Sequence, residues 1–124
     1  VVGHHRAPPS VYRNAAGGSN KFLALDLRVP FESQAATRPA VGAIVRLSGP
    51  DGFSGLSFVD GGNGFGGKRQ PVVHFGLGNV SADTSYLVEV DWRDIRGNKR
   101  NSSFQLKPGW HRVVLTPDQT VEVH

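Results

Sequence analysis

From Phe22 the chain alternates, with Leu23, Leu25, Leu27 and Val29 on one side and Ala24, Asp26 and Arg28 on the other. A period of two belongs to a strand with one buried face, because successive side chains of an extended backbone point to opposite faces. The pattern returns from Arg38 to Leu47, where Val41, Ala43, Val45 and Leu47 oppose Gly42, Ile44 and Arg46. Gly49-Pro50-Asp51-Gly52 then reads as a turn, since proline presets one turn dihedral and glycine admits positive φ. Leu56 and Phe58, with Val59, predict a third strand. Val72 to Phe75 predict a fourth, and Tyr86, Val88, Val90 and Trp92 a fifth that ends at Arg96-Gly97-Asn98. Phe104 and Leu106 mark a sixth, Trp110 to Leu115 a seventh after the Pro108-Gly109 turn, and Val121 to Val123 an eighth.

No long stretch places apolar residues at the three- and four-residue spacing of a helix, and β-branched and aromatic residues crowd the candidate strands. The fold class expected is all-β, an antiparallel β-sandwich of about eight short strands, with an open barrel as the alternative. Leu25, Val45, Phe75, Val90 and Val114 are expected in its core. Residues 1–20 are rich in Pro, Gly, Ala, Ser and Asn without an apolar period, and read as a linker or edge segment before a domain spanning residues 21–124.

A length of 124 residues suits one domain with a single core, and 16 glycines with 8 prolines imply many tight turns. The chain has no cysteine, which excludes disulfides and thiolate metal sites, and no methionine, so it is expected to be a processed product or a piece of a larger protein. No run approaches the roughly 18 apolar residues of a membrane helix, so no membrane insertion is expected. The net charge of +4 raises nucleic acid as a partner. However, Lys68-Arg69 and the cluster of Arg93, Arg96, Lys99 and Arg100 lie in turn-like stretches without the interleaved aromatics of single-strand binders. These read as solvated loop charges, and no nucleic acid partner is expected.

The segment Asp60 to Gly67 holds five glycines in eight positions. Such a loop can present backbone amides to a ligand, or can serve as a long hairpin or bulge. No Gly-Lys-Ser/Thr follows to bind phosphate. His74 is the sharpest single residue. A catalytic base there would need an orienting carboxylate, from Asp60, Asp83, Glu89 or Asp91, whereas a partly buried histidine donating to a backbone carbonyl would lock the loop.

His4 and His5 are adjacent and would point to opposite faces of a strand, His111 and His124 are scattered, and Asp60-Gly61-Gly62-Asn63-Gly64 lacks the dense carboxylates of a calcium loop. Neither a metal nor a cofactor is expected. With no Gly-x-Ser-x-Gly elbow and no cysteine nucleophile, no catalytic residue is assigned. Tyr86, Trp92 and Trp110 fall in strand patterns where aromatic rings pack in cores, and would form a sugar-stacking platform only if exposed. Asn79-Val80-Ser81 and Asn101-Ser102-Ser103 have the N-glycosylation pattern.

Gly62, Gly64 and Phe65, then Pro71, then His74-Phe75-Gly76-Leu77-Gly78, followed by a strand ending at Trp92, resemble the signature of the ASPIC/UnbV domain family. The likeness spans about residues 20 to 116. Val11-Tyr12-Arg13-Asn14 with Gly17-Gly18 is similar to the closing strand of an FG-GAP or VCBS propeller repeat, so residues 1–20 could be the remnant of a preceding propeller strand. The resemblance implies a C-terminal β-domain of a larger, often secreted propeller protein, with related bacterial members encoded in enediyne antibiotic clusters. Where many members carry a polar pair such as Ser-Gln after the loop aromatic, this chain reads Gly66-Gly67-Lys68-Arg69.

Two functions follow as expectations. The first is a non-catalytic extracellular domain that binds its parent propeller, another protein or a carbohydrate. The second is a component of secondary-metabolite biosynthesis that binds or helps process a hydrophobic small molecule. Gly62, Asn63, Gly64, Phe65, His74 and Trp92 are the candidate ligand-binding residues. An exposed aromatic surface would favour the first, and a closed apolar pocket containing His74 the second.

Overall fold

A computed structural model of the chain describes residues 2–4, 7–10, 19–31, 33–61, 71–117 and 121–123. Its strands are β1 (Val2–His4), β2 (Ala7–Ser10), β3 (Lys21–Phe31), β4 (Ser33–Pro39), β5 (Ile44–Ser48), β6 (Ser54–Phe58), β7 (Val73–Gly78), β8 (Tyr86–Arg93), β9 (Lys99–Leu106), β10 (Gly109–Leu115) and β11 (Val121–Val123). The only helical turn among the described residues is a short 3-10 turn at Pro50–Gly52, at the predicted turn. Among the described residues no helix is long and apolar enough to cross a membrane.

Among the described residues, β1 and β2 pair with each other, and the remaining strands form two sheets. One carries four strands in the order β6-β5-β8-β9, all antiparallel. The other runs β11-β10-β3-β4, with β7 also on β3. Strand β3 is long enough for two partners on one edge: β7 pairs with Lys21 to Leu25 and β4 with Arg28 to Phe31, both antiparallel. Its other edge takes β10 in the one parallel pairing of the two sheets, from Leu23 opposite Gly109 to Arg28 opposite Val114.

The fold is therefore the expected all-β antiparallel sandwich, with one parallel pair inside it. Leu23, Leu25, Leu27 and Val29 from one sheet meet Val45, Leu47, Tyr86, Val88 and Val90 from the other in a single core. Burial of these apolar side chains is the main favourable term in folding, at about 25 cal/mol per Å².

Two details differ from expectation. The second predicted strand is split: β4 ends at Pro39, Ala43 N–H closes a turn onto the Ala40 carbonyl, and Gly42 takes a φ of +90° before β5 begins. Val41 consequently stands 60% exposed instead of entering the core. In β10 the phase is shifted by one residue, so that Val113 and Leu115 are buried and Val114 is only half-buried. Residues 2–4 and 7–10, within the stretch read as a linker, an edge segment or a propeller-strand remnant, pair antiparallel with each other.

Candidate functional site

Strict alternation decides where His74 goes. Phe75 is in the core, so its strand neighbour His74 must face outward, and it is exposed. The expectation of a partly buried histidine is corrected by this geometry. The imidazole instead stacks on Phe22 of β3, with ring centres 5.4 Å apart and planes within 13°.

Phe22 was not among the predicted site residues. Its signal is legible, since an aromatic on the polar side of an alternating strand has no core to fill. The pairing registers extend the surface around it. His74 lies opposite Ala24, and Ala24 lies opposite Trp110 on the far side of β3. All three belong to the outer face, because Leu23 and Leu25 on either side of Ala24 enter the core. The small Ala24 is only 3% exposed despite facing outward, so larger neighbouring side chains cover it.

Trp110 remains 49% exposed, with the Arg112 guanidinium 5.7 Å from its ring centre. Cations attract the negative face of an indole in this arrangement. Arg112 Nε also donates to Asp26 at 2.8 Å, and Arg28 approaches the same buried carboxylate at 3.5 Å. The outer face thus presents two aromatic positions flanking a small floor, closed at one end by a paired charge cluster.

The other predicted residues do not join His74. Trp92 faces inward, is 4% exposed, and donates its indole N–H to Ser102 Oγ at 3.0 Å. Tyr86 is likewise buried, so of the three aromatics considered for sugar stacking only Trp110 reaches the surface. Gly62, Asn63, Gly64 and Phe65 lie outside the described residues. Asn79 follows β7 on an exposed turn, whereas Asn101 sits within β9 and donates its amide to Asp91 at 2.7 Å. Among the described residues no three His, Asp or Glu side chains gather closely enough to hold a metal ion.

A second feature lies at one end of the sandwich. A cleft of about 1100 Å³ opens between the Pro39 to Ile44 turn and the β8–β9 hairpin, with Trp92 lining it from the core side. Asp94 organises the hairpin: one carboxylate oxygen accepts from the backbone N–H groups of Arg96 and Asn98, and the other accepts from Arg100 Nε at 2.9 Å. Desolvation works to raise the Asp94 carboxyl, but the Arg100 hydrogen bond and the two backbone donors outweigh it and hold it below the ordinary aspartate range. Asp91 is lowered too, by hydrogen bonds from Arg46 and then Asn101.

A depressed carboxyl stabilises the fold above its unfolded value, and that contribution is lost as pH falls through the folded one. Asp94→Ala is therefore expected to lower the melting temperature near neutral pH. The gap from wild type should close as pH drops below about 4, the ordinary aspartate value. A gap that stays constant down to strongly acid conditions would reject this account of the hairpin.

Comparison with known proteins adds context. Residues 33–122 match the model of the family described as ASPIC and UnbV. Cartilage acidic protein 1 of Mus musculus is 38% identical over 87 residues, which is 70% of this chain. The Homo sapiens protein of the same name is 36% identical over 94 residues, 76% of this chain. That of Xenopus tropicalis is 34% identical over 87 residues, also 70% of this chain. The matched stretch is 12–13% of the length of these relatives. No solved structure matches the chain.

Proposed function

Because the chain belongs to the ASPIC and UnbV family, we propose that it works as a non-catalytic interaction domain of a larger extracellular protein, binding a protein or carbohydrate ligand. The observation that carries this reading is the position of His74. The signature histidine stands exposed and stacked on Phe22, on an open sheet face that also bears Trp110. Aromatic rings held rigidly on a strand face give contact area at little entropic cost, and suit stacking against a sugar ring or a partner's apolar side chain.

The biosynthetic alternative calls for a closed apolar pocket around His74. The large cleft is open, and His74 does not line it. The similarity to proteins named for cartilage supports an extracellular setting. Gly62, Asn63, Gly64 and Phe65 precede β7 in sequence, and we include them with His74 among the proposed ligand-binding residues. Trp92 is buried in the opposite sheet and lines the end cleft, so it is left out of the proposed ligand surface.

The test is a melting-temperature screen of the chain against a glycan panel and polyketide-like aromatics, repeated with His74→Ala and Trp110→Ala. Both variants are expected to fold, since an exposed ring contact contributes at most about 0.5–1.5 kcal/mol. A glycan-induced shift lost in either variant supports the reading. A shift produced only by aromatic small molecules and lost with His74→Ala would overturn it in favour of the biosynthetic role.

A further inference from the structure

The cleft at the end of the sandwich has an uneven charge balance. It is lined by four cations, Arg38, Arg93, Lys99 and Arg100, and two acids, Asp91 and Asp94. Both acids are already engaged, Asp94 with Arg100 and Asp91 with Arg46 and Asn101. Among the described residues, Arg38, Arg93 and Lys99 have no carboxylate partner. Arg38 lies over the Phe31 ring and Arg93 donates to the Gly97 carbonyl, so both are held in place with donors to spare.

The same cleft is lined by three large aliphatic side chains left in water, Ile44 at 40%, Val41 at 60% and Ile95 at 61% exposure. Lys99, Arg100 and Asn101 also open β9, the edge strand of its sheet, and among the described residues no strand pairs with its outer side. An unpaired ladder edge is a template for another extended chain.

We propose that this cleft docks an extended acidic segment of a partner polypeptide. Its carboxylates meet Arg38, Arg93 and Lys99, its apolar side chains pack on Val41 and Ile95, and its backbone follows the edge of β9. Three features favour polypeptide over a polyanionic sugar: the aliphatic lining, the free strand edge and a volume suited to side chains. The proposal deepens the interaction-domain reading and rests on it, but uses a surface separate from the His74 face.

The experiment measures binding of a fluorescein-labelled dodecapeptide of alternating Glu and Leu, beside its Gln and Leu counterpart and heparin. The chain is compared with Lys99→Glu, Arg38→Glu, Arg93→Glu and Ile95→Ser, and with Lys107→Glu as a charge-matched control away from the cleft, each checked for an intact melting transition. The acidic peptide is expected to bind, to weaken with added salt, and to lose roughly tenfold or more in affinity with each cleft charge reversal, as truncation or reversal of interfacial charges generally does. Ile95→Ser should weaken it as well, and Lys107→Glu should matter far less.

Should Arg93→Glu fail to fold through its contact with Gly97, Lys99→Glu and Arg38→Glu decide the question. No binding, equal binding of the Gln peptide, binding of heparin alone, or indifference to the cleft substitutions each overturns the proposal. Peptide binding that survives those substitutions but disappears with His74→Ala would remove the cleft and leave the interaction-domain reading standing.

Discussion

Replacing Phe75 by alanine is expected to destabilise the chain by about 3–5 kcal/mol, the usual cost of emptying a buried aromatic site. Phe75 is 7% exposed and belongs to β7, yet its ring lies directly over Gly55 of β6 in the opposite sheet. A Cβ added at Gly55 would sit 2.9 Å from that ring, so the contact leaves no slack. The ring therefore ties the two sheets together where their edges meet, and its loss leaves a cavity that neither backbone can readily fill. Gly55→Ala alone should destabilise through overpacking, by about 1–3 kcal/mol. In the Phe75→Ala background the same change should cost less, because the ring it strikes has gone. Urea denaturation of the two single variants and the double variant checks both claims. Strict additivity, or a cost for Phe75→Ala under about 1 kcal/mol, would show that the ring is not seated as described.

Gly49→Ala carries the second large effect, for a purely steric reason. Gly49 has φ −136° and ψ 179°, an extended conformation open to any residue. Backbone strain thus contributes nothing. A methyl group there would lie 2.5 Å from the ring of Tyr86, which is 1% exposed and also meets Phe53 edge-on at 5.7 Å. Held on both sides, the ring cannot swing away without disturbing the core. The expected cost is about 1–3 kcal/mol, read as a lower denaturation midpoint with an unchanged slope. A change within about 0.5 kcal/mol, typical of uncommitted surface positions, would reject the argument.

How much of this was legible in the sequence depends on whether each signal was local. The alternation of Leu23, Leu25, Leu27 and Val29 announced β3 and its core face, and Leu25, Val45, Phe75 and Val90 are buried as expected. Strand β4 was missed because Ser33 to Pro39 holds no alternating apolar residues. It pairs along the edge of β3 through its backbone, and backbone pairing leaves no trace in hydropathy. The phase of β10 slipped because Val113, Val114 and Leu115 are all apolar, so alternation alone could not choose the inward pair. The outward turn of His74 was implicit once Phe75 was placed in the core, yet its stacking on Phe22 depends on a strand pairing across about fifty positions of chain, which no local pattern contains. The cleft was still less accessible to sequence, because its cations and aliphatic side chains come from two turns far apart in the chain.

The parallel pairing of β3 with β10 also has a temporal consequence. Asp26 and Arg112, joined across that seam, stand 86 positions apart, so the middle strand of one sheet waits for almost the last strand of the domain. During synthesis the Leu23, Leu25 and Leu27 ridge emerges early, but it lacks its neighbour on one edge until β10 has left the ribosome. Folding dominated by such distant contacts is slow, and an incomplete sheet offers a sticky edge while it waits. A nascent chain stalled ahead of Gly109 is therefore expected to rely on chaperones and to be cut readily by protease. One released beyond Leu115 should become resistant in a single cooperative step.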